Sequence, residues 1–205
     1  MPAAAMPGAA IHCKVTMKLI TAKIQGCTPL LQQRFCESAE LPGATRAMLV
    51  NHGTPREEAE KVTYRDSQGR FYFPGTAIGR LLREAAANHK MKGSRRSARF
   101  VVPAAVLVMT DAVFLLNGNG ELAVDFETDS RPVVIPATRG RIMKHRPRFD
   151  KWSASFVIRI NETLLPVDFV HRLLTEGGQQ IGIGDFRPEK GGPFGTFNVV
   201  EWKEC

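Results

Sequence analysis

Tyrosine and tryptophan are scarce in this chain, two of each in 205 residues, and cysteine is hardly commoner at four. Cys13, Cys27, Cys36 and Cys205 form no CxxC pair and match no zinc ribbon or finger spacing, so they read as free thiols with no structural metal. Cys13 falls in a predicted strand and is expected to be a small core residue. No apolar run approaches the roughly 18 residues of a membrane-spanning helix, which argues against a membrane partner. Residues 1–10, Met-Pro-Ala-Ala-Ala-Met-Pro-Gly-Ala-Ala, lack a basic region and a long apolar stretch. They are expected to be a flexible tail rather than a secretory signal, with the ordered domain spanning 11–205 in the cytoplasm. There is no Walker sequence, HExxH or Ser-His-Asp signature. No cofactor is expected, and acid/base chemistry is left to isolated residues.

Acidic residues are also in deficit, 20 against 28 Lys and Arg, for a net charge of +8. The surplus is concentrated. Gly79–Phe100 holds Arg80, Arg83, Lys90, Lys92, Arg95, Arg96 and Arg99 against Glu84 alone. Arg131–Lys151 holds Arg131, Arg139, Arg141, Lys144, Arg146, Arg148 and Lys151 against Asp150 alone. Each run carries +6, so the remainder of the chain is slightly acidic. Clustering of this kind is the electrostatic footprint of phosphate binding, and the expectation is that the two runs meet in one groove. Few aromatic residues accompany them, Phe100 and Phe149 being the nearest, so phosphate contact should outweigh base stacking.

Glycine is plentiful where it is most informative. Ile181–Phe197 contains Gly182, Gly184, Gly191, Gly192 and Gly195 with Asp185, Arg187, Glu189 and Lys190. Such a loop permits positive φ and close backbone approach. Its Arg187 and Lys190 suggest an anionic guest; the plainer reading is a turn that needs glycine for geometry alone.

Periodicity places the other elements. Ile11–Ile24 alternates as a strand whose apolar phase slips after Leu19, as a β-bulge would produce. Residues 27–62 read as a long insertion with a short helix near Arg56–Lys61. Thr63–Phe73 suggests a hairpin turning at Ser67–Gly69. Thr76 is a candidate N-cap for a helix with Ile78, Leu81, Leu82, Ala85 and Ala86 on its apolar face. Val101–Leu116 reads as a buried strand bent near Pro103, and Asn117-Gly-Asn-Gly120 as a hairpin turn pairing it with Glu121–Glu127. Residues 128–150 suit a basic, thumb-like protrusion. Trp152, Ala154, Phe156, Ile158 and Ile160 mark a strand. Pro166–Thr175 reads as a helix ended by Gly177 and Gly178, and Phe194–Trp202 as the last strand. The predicted class is α+β: a ferredoxin-like (RNA-recognition-motif-like) βαββαβ core with long insertions.

Tyr72-Phe-Pro-Gly-Thr-Ala-Ile-Gly-Arg-Leu-Leu-Arg83 resembles the PGSSLKGxLR segment of the RAMP superfamily of CRISPR-associated proteins, which opens the first helix of a ferredoxin-like domain. Gly182–Phe197 resembles that family's C-terminal glycine-rich loop, and Arg131–Arg148 occupies the place of the thumb-like hairpin of CRISPR effector backbone subunits. The C-terminal pattern also resembles small phage and prophage proteins. The resemblance implies a non-catalytic subunit that oligomerises along single-stranded guide RNA, alongside other effector subunits and a complementary target. It implies RNA contacts from Arg80 and Arg83 on the helix and from Arg139, Arg141, Lys144, His145, Arg146 and Arg148 on the thumb. The glycine loop would contribute Gly182, Gly184, Arg187 and Lys190, and the basic segment Lys90, Lys92, Arg95 and Arg96. Two alternatives stay open. One is a RAMP-like ribonuclease using Asp66, Asp185, His52 or His145; Glu37 and Glu40 stand in the loop where certain members carry an Asp. The other is a phage single-stranded nucleic-acid-binding or host-defence-interfering protein. Asp185 is read as a possible metal ligand, with an ion pair to Arg187 the simpler expectation.

Overall fold

The computed structural model describes residues 16–35, 53–134 and 139–205. The tail 1–10, the start of the first predicted strand, Cys13, Cys36, Glu37, Glu40 and His52 lie outside them. Cys27 and Cys205 are exposed free thiols.

Four antiparallel strands form the main sheet: β1 (Met17–Gly26), β4 (Val106–Val108), β8 (Ser153–Asn161) and β9 (Phe197–Glu204), in the order β4-β8-β1-β9. The alternation read in β8 is observed: Ala154, Phe156, Ile158 and Ile160 are buried and continue the line of Trp152. In β1, Ile20, Ala22 and Ile24 face the same core. Met17 and Leu19 belong to the opposite, exposed face, so no bulge separates the two apolar sets. The register of β1 with β8 is unbroken from Met17↔Asn161 to Gln25↔Ser153. The register shift falls instead against β9, between Lys23 and Ile24, where Val200 is the extra residue.

Helices α2 (Thr76–Ala85) and α4 (Val167–Gln180) cover the inner face. Ile78, Leu81 and Leu82 of α2 and Val170, Leu173 and Leu174 of α4 join the inward residues of β1 and β8 in one core. The six elements follow one another as β-α-β-β-α-β. Gly75, not Thr76, is the cap residue of α2. Its N–H donates to the Asp111 carbonyl at 2.7 Å, and a Cβ on it would lie 2.0 Å from the Thr110 carbonyl oxygen, so only glycine fits. Helix α4 continues through Gly177 and Gly178 instead of ending there. These glycines are points of contact: a Cβ would meet Leu81 Cδ2 at 2.5 Å from Gly177 and the Phe197 carbonyl oxygen at 2.5 Å from Gly178. Packing therefore overrides the helix-ending tendency of the pair.

The apolar run Val101–Leu116 is not one strand. Val102–Ala105 is a single helical turn, α3, with Pro103 in its first turn, where a missing N–H costs nothing. Only β4 follows in the main sheet; β5 (Ala112–Phe114) pairs with β3 (Tyr72–Pro74) in a separate two-stranded sheet. The Asn117–Gly120 turn forms as expected, with Asn117 Oδ1 accepting from the Asn119 and Glu121 N–H groups and Gly120 at φ 83°. Its flanks make just an isolated bridge, Leu116↔Leu122, and Glu121–Glu127 is not a strand. The protrusion is an antiparallel ribbon, β6 (Glu127–Val134) on β7 (Arg141–Phe149), extended by β2 (Leu30–Leu31). Against β7 packs α1 (Pro55–Lys61), which has a Thr54/Glu57 capping box. The last strand starts at Phe197 rather than Phe194, because Gly195 at φ 72° turns the chain first.

Candidate nucleic-acid interface

The start of α2 and the glycine loop are about a hundred residues apart in sequence and adjacent in space. Between them runs a groove of about 850 Å³, lined by Pro74–Ala77, Gly79–Leu81 and Arg83 on one side and by Ile181–Asp185, Arg187 and Glu189 on the other. Gln32, Gln33, Tyr64, Val106–Val108, Thr110 and Asp111 complete its walls.

The loop's glycines hold the loop itself in shape. Gly184 at φ 80° would place a Cβ 2.3 Å from the Leu31 carbonyl oxygen, and Gly195 at φ 72° would place one 1.8 Å from that of Ile183. Asp185 N–H donates to Leu31 O at 2.8 Å and Gly195 N–H to Pro29 O at 2.8 Å, which fastens the loop to the segment at β2. The close approaches are thus to the protein's own backbone, and the side chains between the glycines are what the loop presents.

Those side chains are cationic and acidic in alternation. Arg187 donates to Glu189 Oε2 from Nε at 2.9 Å and from Nη2 at 2.5 Å, and from Nη1 to the Gly184 carbonyl at 2.8 Å. Arg80 reaches the same carboxylate from α2, 3.3 Å from Oε1. Burial opposes ionisation of Glu189, but the bond and charge of Arg187, with Arg80 and Lys190, hold its pKa below the ordinary value. Asp185 pairs across the fold with Arg146 of β7, Nε to Oδ2 at 2.6 Å, off the alignment of a hydrogen bond. The expected Asp185–Arg187 pair does not form. Burial holds the half-buried Lys144 ammonium below its usual pKa, Arg146 adds to this, and Asp185 opposes it.

The structure sorts the residues singled out from sequence into three places. Arg80, Arg83, Gly182, Gly184 and Arg187 line the groove, with Lys190 exposed at its edge. Lys90, Lys92, Arg95 and Arg96 are all exposed in the loop beyond α2, without an ion pair among the described residues, and Arg96 lies over the exposed Phe100 ring at 5.8 Å. On the ribbon, Arg139 and Arg141 are exposed, with no ion pair among the described residues, Arg148 is paired with Asp150 at 2.5 Å, and Lys144 and His145 are half-buried. Arg146 is buried, 5% exposed, behind the glycine loop. Only the inner members of the two basic runs therefore reach the groove region. Arg80 and Arg83 do so directly, and Arg146 and Lys144 act through Asp185.

Several groove residues had no signal in the sequence. Tyr64 lies edge-on to Tyr72, 5.7 Å between ring centroids, and burial raises its phenol pKa. Gln32 donates to the Tyr72 carbonyl and accepts from the Tyr64 N–H. Gln33 Oε1 is buried with no hydrogen-bond partner among the described residues. Asp111, a groove carboxylate, is exposed. Each comes from a segment whose local pattern says nothing about α2.

The residues named for hydrolysis that the structure describes, Asp66, Asp185 and His145, are otherwise engaged. Asp66 accepts from the Gln68 and Arg70 N–H groups and pairs with the Arg70 guanidinium at 2.7 Å, so it builds the Ser67–Gly69 turn. His145 Nδ1 lies 2.7 Å from Ser130 Oγ, and its Nε2 is 3.8 Å from Glu58, too far for a hydrogen bond. Among the described residues no group of three or more His, Cys, Asp or Glu is placed to hold a metal ion. No helix of the described residues is long and apolar enough to cross a membrane.

No family model matches the sequence, and no curated protein matches it. Solved structures do match the fold. A chain of the Type III-B Cmr-beta bound to cognate target RNA, determined by cryo-EM, superposes with a TM-score of 0.52 at 12% identity over 92% of this chain. This chain spans 61% of that chain's length. Cmr6 from Pyrococcus furiosus gives a TM-score of 0.47 at 12% identity, over 90% of this chain and 98% of its own. The resemblance of residues 72–83 and 182–197 to the RAMP superfamily of CRISPR-associated proteins is accompanied by a fold similar to that of the Cmr-beta chain.

Proposed function

We propose that this protein is a non-catalytic RNA-binding subunit of a CRISPR-type ribonucleoprotein, built on a ferredoxin-like core that oligomerises along guide RNA. The observation that carries this reading is the meeting of the two resemblance segments, the start of α2 and the glycine loop, in one arginine-flanked groove. The strand order β4-β8-β1-β9, with both long helices on one face, supports the ferredoxin-like assignment. The fold is similar to that of a chain in a structure containing bound target RNA.

In this reading the strand's phosphates run past Arg80 and Arg83 along the groove. Exposed cations then extend the track in two directions, through Lys90–Arg96 beyond α2 and through Arg139 and Arg141 on the ribbon. Planar guanidinium groups suit bidentate phosphate contact. Tyr64 offers an aromatic surface within the groove, which Phe73 also lines, and the ribbon splays bases as it crosses the strand. The ribonuclease alternative has weaker support, because Asp66, Asp185 and His145 are each held by a neighbour.

Fluorescence anisotropy with labelled single-stranded RNA of about 20 nucleotides, against DNA of equal length, tests the reading. Arg80→Glu with Arg83→Glu should weaken RNA binding by about tenfold or more at moderate salt, with an unchanged circular dichroism spectrum. RNA left intact but bound as before by the double variant would remove the groove from the binding surface. RNA cut by the wild type would favour the nuclease.

A further inference from the structure

Among the described residues, Glu189 is the one carboxylate that faces two arginines of the groove at once. Its Oε2 takes the Nε and Nη2 of Arg187, at 2.9 and 2.5 Å, and its Oε1 faces Arg80 Nη2 at 3.3 Å. Arg187 thus turns its Nε–Nη2 edge to one carboxylate oxygen, the edge that arginine also offers to a phosphate. The two cations are held unequally. Arg187 is 13% exposed and its remaining arm is fixed on the Gly184 carbonyl, whereas Arg80 is 50% exposed and makes only a long contact.

We propose that Glu189 is the specificity-determining residue of the groove: its carboxylate occupies the place of a backbone phosphate between Arg80 and Arg187, so the groove accepts a polyanion and rejects a lone phosphate. This rests on reading the groove as a nucleic-acid site. The physical basis is competition. Glu189 is tethered two residues from Arg187 in the turn Pro188–Lys190, and a short tether gives an effective concentration in about the millimolar range or above. A free phosphate or nucleotide must beat that with one contact. A strand has further contacts at Lys190, Arg83 and the exposed cations beyond, and these offset the displacement of Glu189. The carboxylate stays ionised at neutral pH, so the surrogate is in place whenever the groove is empty.

The test uses the full chain, a labelled oligouridylate of about 20 nucleotides, and inorganic pyrophosphate as competitor. Glu189→Gln should bind the RNA about threefold or more tightly than Glu162→Gln, an equal change of charge at an exposed site. Millimolar pyrophosphate should displace RNA from Glu189→Gln and not from the wild type. Adding Arg80→Ala to Glu189→Gln should abolish the gain. Glu189→Ala is the second variant should thermal melting show Glu189→Gln to be unfolded. Equal RNA affinity in Glu189→Gln and Glu162→Gln overturns the proposal, and so does pyrophosphate displacing RNA equally from the wild type and the variant. Should the wild type bind neither probe while Glu189→Gln binds pyrophosphate, the nucleic-acid reading fails and the surrogate role stands. If the variant also binds neither, both fail.

Discussion

Arg146 was singled out as an exposed phosphate ligand and instead lies buried behind the glycine loop, 2.6 Å from Asp185. A buried guanidinium needs its counter-charge more than a partly exposed carboxylate does, and Asp185 retains 30% exposure of its side chain. The two halves of this pair should therefore respond unequally. Asp185→Asn leaves a buried cation beside the half-buried Lys144 and should cost about 3 kcal/mol in urea unfolding. Arg146→Met leaves a carboxylate that still sees water and Lys144, and should cost nearer 1 kcal/mol. The reverse order would mean that the pair sits in a wetter place than its burial implies. Sequence exposed the chemistry of these residues but not their partners. Neighbours in a loop, Asp185 and Arg187, were natural candidates for pairing. Phe186 between them sits at φ 49° and turns the chain, and each finds its counter-ion elsewhere, Asp185 on β7 and Arg187 on Glu189. The role of Glu189 is illegible in the sequence for the same reason, since it depends on Arg80, 109 positions away.

Among the elements, those with a clean period were legible and those with a long apolar run were not. β8 alternates because one face meets the core and the other does not. Val101–Leu116 is apolar except at Thr110 and Asp111, which fits a buried strand or helix equally, and the chain divides it into α3, β4 and β5. In α4 the sequence placed the stop too early, because Gly177–Gly178 serves contact rather than termination. The two glycines nevertheless differ. An added methyl on Gly177 meets side-chain atoms, Leu81 Cδ2 at 2.5 Å and Cγ at 3.0 Å, which give more readily than backbone; on Gly178 it meets the backbone carbonyl of Phe197 at 2.5 Å. Gly177→Ala should be within about 1 kcal/mol of the wild type in chemical denaturation, as the helix-propensity gain of alanine offsets the strain. Gly178→Ala should lose roughly 2 kcal/mol or more, since β9 must shift against β1. Equal losses would show that α4 can slide as a unit over α2 and β9.

For the whole molecule, net charge is a poor guide to where polyanions are held, and pairing is a better one. Of the +8 carried by the chain, the groove itself contributes little: Arg80 and Arg187 share Glu189, and Arg83 and Arg99 share Glu84. Among the described residues, the exposed cations without an ion pair include Lys90, Lys92, Arg95 and Arg96 beyond α2, Arg139 and Arg141 on the ribbon, and Lys190 at the edge of the groove. Counterion release depends on cations that meet phosphate without giving up an internal partner. The salt dependence of RNA binding should therefore be set by the periphery and its geometry by the groove. Replacing Lys92, Arg95 and Arg96 together with Gln should flatten the slope of log Kd against log salt by about 2, close to 0.7 for each lost single-strand contact. Arg187→Gln should leave the slope within about 0.5 of the wild type while lowering affinity at every salt concentration, because it dismantles the Glu189 fork without removing a free cation. A steep fall in slope for Arg187→Gln, with none for the triple variant, would place the electrostatic track inside the groove and leave the loop beyond α2 as a solvated surface.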